Sequence, residues 1–194
     1  MERKREITEK ILEVELAMFL SVPTTHRYSC QEEPESFKLH RRAQFAAWSI
    51  PTLESYLVDL LRARDADCNL VAVKYARMDD LVPRENFCPC INLIVDLALT
   101  GQRRFIADFP SLMRGGRPLS KEEDVQGLTS FETYVRGELE TYSESTLELL
   151  YGDMLALQAS GTSLSEATYR NLAAHLGFDS LESLEETLRK KNYQ

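Results

Sequence analysis

A chain of 194 residues, 43 % hydrophobic and 28 % charged, has the make-up of an ordinary globular protein and can bury about 70 % of its unfolded surface without staples. A net charge of −8 with pI near 5.0 argues against general nucleic-acid binding, which requires a basic face. The charge-dense start, Met1–Glu9, lacks an apolar signal segment. The longest apolar stretch, Cys88–Leu99, is interrupted by Asn92 and Asp96 and falls short of the ~20 residues of a membrane span. The expectation is therefore a cytoplasmic protein with no membrane and no nucleic-acid partner, its four cysteines reduced and too few for a disulfide scaffold.

The first predicted helix runs from Arg3 to Leu20, with Ile7, Ile11, Val14 and Met18 on one stripe. Glu15 falls inside that stripe, between Ile11 and Phe19. Pro23 ends the region, and Val22–Pro34 reads as a loop. A second helix, Glu35 to Trp48, puts Phe37, Arg41, Gln44, Phe45 and Trp48 on one face. Pro51, suited to a first turn, opens a third helix whose buried stripe is Leu53, Tyr56, Leu57, Leu60 and Leu61.

A short helix, Leu70–Asp79, carries Lys74 and Arg77 among Leu70, Val73 and Met78. A loop bracketed by Pro83 and Pro89 holds Cys88 and Cys90. The next helix spans Ile91 to Phe109, with Gly101 as a candidate break. Pro110–Leu128, containing Gly115-Gly116-Arg117-Pro118, is a loop of the length that is often functional or mobile. Thr129 with Glu132 has the spacing of a capping box before the longest predicted helix, Ser130–Ala159. Glu138 sits in its apolar arc. Gly161 is a C-terminal stop, Ser163 with Glu166 opens a helix ending at Gly177, and Ser180 caps a last one.

Five charged residues, Glu15, Arg41, Lys74, Arg77 and Glu138, thus occupy inner faces, where charges are rarely found unpaired. Two readings stay open. One is a structural ion network. The other is an inter-helical pocket in which three cations against two acids leave a positive charge for a small anion, a carboxylate or phosphate. Tyr75, Tyr134 and Tyr142 would add phenol hydrogen bonds, and Asp153 or Glu132 could instead balance the charge. Glu132 and Arg136 have the spacing of an i, i+4 ion pair.

Metal chemistry has little support. The three histidines, His26, His40 and His175, form no Glu-x-x-His pair of the ferritin-like kind. Cys88-Pro89-Cys90 has one intervening residue, not the two to four of zinc knuckles, and Cys30 and Cys68 join it only if the fold brings them there. Cys30 beside Gln31 and near His26 is sequence proximity, not triad geometry. Gly115-Gly116-Arg117 lacks the ending of a phosphate loop and reads as a turn. No metal and no cofactor is expected.

The segments Glu15-x-x-Met18-Phe19, Cys30-Gln31, Phe37-x3-Arg41-x2-Gln44-Phe45-x2-Trp48, Glu54-Ser55-Tyr56-x2-Asp59-Leu60, Asn69-Leu70, Lys74-Tyr75-Ala76-Arg77-Met78, Arg117-Pro118 and Ser130-Phe131-Glu132-Thr133-Tyr134-x-Arg136-Gly137-Glu138-Leu139-x-Thr141-Tyr142-Ser143 together resemble one bacterial family, domain of unknown function 4125. The chain departs from that pattern at Asp67-Cys68, where Gly-Arg is expected, and in Leu97–Thr100, which lacks the family's Trp and Glu. The resemblance implies an α-helical bacterial protein. It implies no activity, so no catalytic residue is carried over.

The expected architecture is one all-α domain over residues 1–194, with about seven or eight helices, no sheet, and residues 161–194 as a helical appendage. The leading functional expectation is a small anionic ligand in a polar pocket lined by Glu15, Arg41, Gln44, Lys74, Tyr75, Arg77, Tyr134, Glu138 and Tyr142, with acid/base catalysis a further option for Glu15 or Glu138. The rival is an interaction or regulatory module, its protein partner unidentified, whose ion network is purely structural.

Overall fold

The computed structural model describes residues 2–22 and 34–192. These form nine α-helices: α1 (Glu2–Leu20), α2 (Pro34–Ala46), α3 (Ile50–Asp65), α4 (Leu70–Met78), α5 (Cys90–Asp108), α6 (Phe131–Leu139), α7 (Glu144–Ala159), α8 (Leu164–His175) and α9 (Leu181–Asn192). A single 3-10 turn, Lys121–Glu123, and an isolated bridge between Val125 and Leu128 interrupt the long loop after α5. No strand occurs among the described residues, and none of the described helices is long and apolar enough to cross a membrane. His26, Cys30 and Gln31 lie outside the described residues.

The fold is all-α as expected, with one helix more than the seven or eight anticipated. The extra one arises because the single helix expected over Ser130–Ala159 is two. Ser143 leaves helical geometry (φ −67°, ψ 158°) and its hydroxyl caps the Thr146 amide. The Asp59 carboxylate of α3 fixes the break. Its Oδ2 accepts from the Ser143 amide at 3.0 Å, the Ser143 hydroxyl at 3.0 Å and the Thr146 hydroxyl at 2.6 Å. A buried acceptor thus satisfies donors that a helix start otherwise leaves open. The capping box expected at Thr129 does not form. Ser130 caps α6 through the Thr133 amide, while Glu132 accepts from the Lys121 amide.

Local signals elsewhere fall where the sequence puts them. Ser49 caps α3 with Pro51 in its first turn. Gly161 and Gly177, at φ +81° and +83°, end α7 and α8. Asp67 holds φ +55° after α3, a left-handed conformation that glycine takes without cost and Asp tolerates.

The core is continuous through α1, α3, α5 and α7. α1 packs on α2, α3 and α4, α5 packs on α6, α7 and α8, and α4 lies against α6. Phe45, Trp48, Tyr56 and Tyr142 form its aromatic centre, with ring centroids 5.2 Å apart for Phe45–Trp48 and 4.7 Å for Tyr56–Tyr142. α8 packs on α2 and α5, where Asn171 donates to the Ala43 carbonyl at 3.0 Å. α9 rests on α8 over a smaller cluster of Phe105, Ala173, Leu181 and Leu184.

Two glycines set helix spacing. α5 runs unbroken through Gly101, contrary to the expected break, because Gly101 faces the start of α8. A Cβ there would stand 2.6 Å from the Ser163 Cβ. At Gly137 a Cβ would meet the Met78 side chain at 2.9 Å and the Lys74 carbonyl at 3.3 Å, so its absence lets α4 approach α6.

Gly101→Ala is therefore expected to lower the urea midpoint, although alanine favours a helix by about 1 kcal/mol over glycine. Ser163→Gly removes the opposing atom and costs only a few tenths of a kcal/mol at a cap. The double variant should recover most of the loss. Additive losses in the double-mutant cycle would contradict this account of the contact.

Candidate functional site

Four of the five inner-face charges meet. The Arg41 guanidinium, from α2, donates from Nε and Nη2 to Glu15 of α1 at 2.9 and 2.5 Å, a two-pronged contact. Its Nη1 donates to Glu138 of α6 at 2.8 Å and to the Gln44 carbonyl oxygen at 2.7 Å. Lys74 of α4 donates to the other Glu138 oxygen at 2.7 Å. Two phenols complete the set, Tyr56 donating to Glu15 at 2.5 Å and Tyr142 to Glu138 at 2.6 Å. Glu15 is 2 % exposed, and Arg41, Lys74 and Glu138 are each no more than 8 % exposed. Aromatic faces cover the cations: Arg41 lies 4.6 Å from the Phe45 centroid and Lys74 lies 3.5 Å from that of Tyr134. Tyr75 is more distant, 5.8 Å from Lys74.

Arg77 does not join this cluster. One turn beyond Lys74, it reaches the C-terminal end of α6 and donates to the Glu140 carbonyl at 2.5 Å, with Glu85 at 3.6 Å. A cation there complements the negative end of the helix dipole. The correction changes the charge count. Two carboxylates face two cations, so the cluster holds no spare positive charge. Asp153 and Glu132 do not enter it. Asp153 binds the Ser49 amide and the Thr52 hydroxyl at the start of α3, and Glu132 holds the Lys121 amide and lies 3.8 Å from Arg136.

The electrostatics fix Arg41, Tyr56, Lys74, Glu138 and Tyr142 each in one state. Burial opposes ionisation of Glu138, but Arg41 and Lys74 override it and hold its pKa well below the usual carboxylate range. Burial likewise opposes the charges of Arg41 and Lys74, and their carboxylate partners override it, raising both. Burial first, then the adjacent Glu15 and Glu138, push the Tyr56 and Tyr142 phenols well above their ordinary value. Such groups hold charge and orient one another. None of these five is tuned to exchange a proton near neutrality, as general acid–base catalysis requires.

The network separates two spaces. On the Glu15 and Lys74 side is a void of about 40 Å³ that also touches Tyr75 and Tyr134, room for water-sized occupants only. On the other side, Arg41, Gln44, Glu138 and Tyr142 border a cavity of about 650 Å³, within the usual range for small-molecule sites. Its walls are mainly apolar, from Ile94 and Ala98 of α5, Leu139 of α6, Leu150 and Met154 of α7, and Leu172 of α8. The long loop borders it with Gly115, Gly116 and Arg117.

The sequence reading missed this cavity and two of its polar groups. Gln102 is 5 % exposed, lines the cavity one turn beyond Ala98, and its side-chain amide has no hydrogen-bond partner among the described residues. Its signal was its place in the Ile94–Ala98 stripe. Arg117 was read as part of a turn and of one resembling segment, Arg117-Pro118, but not as a ligand-binding residue. Among the described residues, no group of three or more His, Cys, Asp or Glu is placed to hold a metal ion. Cys68, Cys88 and Cys90 are free thiols.

Glu138→Gln is expected to destabilise the fold by about 3–5 kcal/mol at pH 7, because Arg41 and Lys74 lose a buried counter-charge. The depressed pKa of Glu138 makes its stabilisation complete above 4.5, its ordinary value, and progressively lost as pH falls below that toward the folded value. Denaturant titrations should show a shallower acid-side slope for Glu138→Gln than for the unaltered protein. An unchanged slope would contradict the ionised Glu138 described here.

No curated protein and no solved structure matches the chain. The family described as protein of unknown function DUF4125 matches it over residues 5–186, a span that takes in α1 through most of α9 and every residue of the network and cavity. The chain belongs to the DUF4125 family.

Proposed function

We propose that this protein binds a small organic molecule, with a largely apolar body, in the cavity beside the ion network. The observation that carries this reading is the cavity itself, about 650 Å³ with mainly apolar walls and Gln102 among its lining residues. The Gln102 amide makes no side-chain hydrogen bond to another described residue, so its N–H and carbonyl groups are available to an occupant of the cavity. A molecule whose body covers Ile94, Ala98, Leu150 and Met154 and whose polar group meets Gln102 matches both kinds of surface. The network serves as a rigid floor, presenting Arg41, Glu138 and Tyr142 in fixed orientation.

This differs from the expected anion held by Arg41, Lys74 and Arg77. Their charges are already matched or lie elsewhere, and Lys74 borders only the small void. The rival reading, an interaction module with a purely structural network, accounts for the ion pairs but not for the cavity. The locked protonation states favour binding over catalysis.

Nile red, a neutral environment-sensitive dye, tests the reading. The unaltered protein should take it up with a blue shift and increased emission. Ala98→Trp fills the cavity from α5 and should abolish uptake while circular dichroism retains the helical signal. No uptake by the unaltered protein, or equal uptake by folded Ala98→Trp, would contradict the proposal.

A further inference from the structure

The cavity has a polarity of its own. Of its lining residues, His40, Gly115, Gly116 and Arg117 are the exposed ones, which marks where it opens. Arg117 is anchored on one side only. Its Nη1 donates to the Thr129 carbonyl at 2.9 Å and the Thr129 hydroxyl at 2.7 Å. Its guanidinium carbon lies 5.0 Å from the Tyr134 centroid. Among the described residues no carboxylate pairs with it, and its Nε and Nη2 have no hydrogen-bond partner. The contrast with Arg41 is sharp, since that guanidinium is spent on Glu15, Gln44 and Glu138.

Two further polar side chains line the same cavity. They are Tyr134 and His40, and neither has a side-chain hydrogen bond among the described residues. Partial desolvation pushes the His40 pKa below its ordinary value, so the ring is neutral at pH 7 and Arg117 is the cation at the opening. A guanidinium held by one edge and stacked on an aromatic ring offers its remaining N–H groups as a planar fork, the geometry that matches a carboxylate.

We infer that the cavity selects a lipophilic carboxylate, with its apolar body inside and its anionic head on Arg117 at the opening. This rests on the cavity reading above and adds the ligand's charge and orientation. The expected anion is thus retained with a different cation. Arg117, anchored to Thr129 and steadied by Tyr134, is the specificity-determining residue, and the buried network contributes only the floor. The glycines beside it keep the backbone low: Gly115 has φ +78° and open space around it, which leaves the head group room to enter.

The test compares octanoate with octan-1-ol, a matched body with and without the charge, by displacement of Nile red at pH 7 and low salt. Octanoate should bind the unaltered protein about tenfold more tightly than octan-1-ol. Arg117→Leu should weaken octanoate about tenfold and leave octan-1-ol unchanged. Thr129→Val removes part of the same loop tether but keeps the charge, and should preserve the octanoate preference. Equal affinities in the unaltered protein, or an undiminished preference in Arg117→Leu, overturn the role of Arg117 while the cavity reading stands. Loss of the preference in Thr129→Val equal to that in Arg117→Leu assigns the effect to loop structure and also overturns it. Failure of both compounds and of the dye to bind overturns the cavity reading itself, and this inference with it.

Discussion

The guanidinium of Arg41 is the constraint around which the rest is arranged. Taking a full charge out of water costs several kcal/mol even after relaxation, and Arg41 is 8 % exposed. Its burial is tolerated because carboxylates from two other helices, Glu15 of α1 and Glu138 of α6, converge on it, and Lys74 of α4 balances the second of them. Each partner is usable only if its helix stands at one position and rotation. The requirement therefore ties α1, α2, α4 and α6 into one geometry, and Gly137 permits the close approach of α4 that Lys74 needs.

The same device recurs in simpler form. Asp59 of α3 fastens the start of α7, and Asp153 of α7 fastens the start of α3 through the Ser49 amide and the Thr52 hydroxyl. These reciprocal contacts lock α3 against α7 at both helix starts. Glu185 of α9 does likewise for the Ser111 and Leu112 amides beyond α5. Buried or half-buried carboxylates thus act as caps across helices, and side chains rather than loops hold the bundle's ends. With the frame fixed in this way, the cavity bordered by α2, α5, α6, α7 and α8 persists beside the core instead of collapsing into it.

Much of this was legible in the sequence. Glu15, Arg41, Lys74 and Glu138 each stood inside an apolar stripe, and burial of a charge there demands partners of opposite sign. Arg77 obeyed the same local rule and still went elsewhere. The difference is axial: one turn along the short α4 carries it past the last turn of α6, to the Glu140 carbonyl, and helical periodicity does not encode depth along a neighbouring helix. The break at Ser143 was hidden because Ser, Glu, Ser and Thr are all compatible with a continuing helix. What decides it is Asp59, more than eighty positions earlier. Gln102 and Arg117 were hidden for a related reason. An amide at the end of an apolar stripe and an arginine in a turn become informative only when the space beside them is known to be empty.

The most direct test of the central claim is the thermal unfolding of Lys74→Met with no ligand present, followed by Nile red binding to the same variant. Lys74 belongs to the network but not to the cavity lining. The account predicts a markedly lower Tm, because Glu138 loses a buried partner, together with dye uptake that is retained below that Tm. An unchanged Tm with abolished uptake would contradict it, since Lys74 would then be a ligand-binding residue rather than part of the frame.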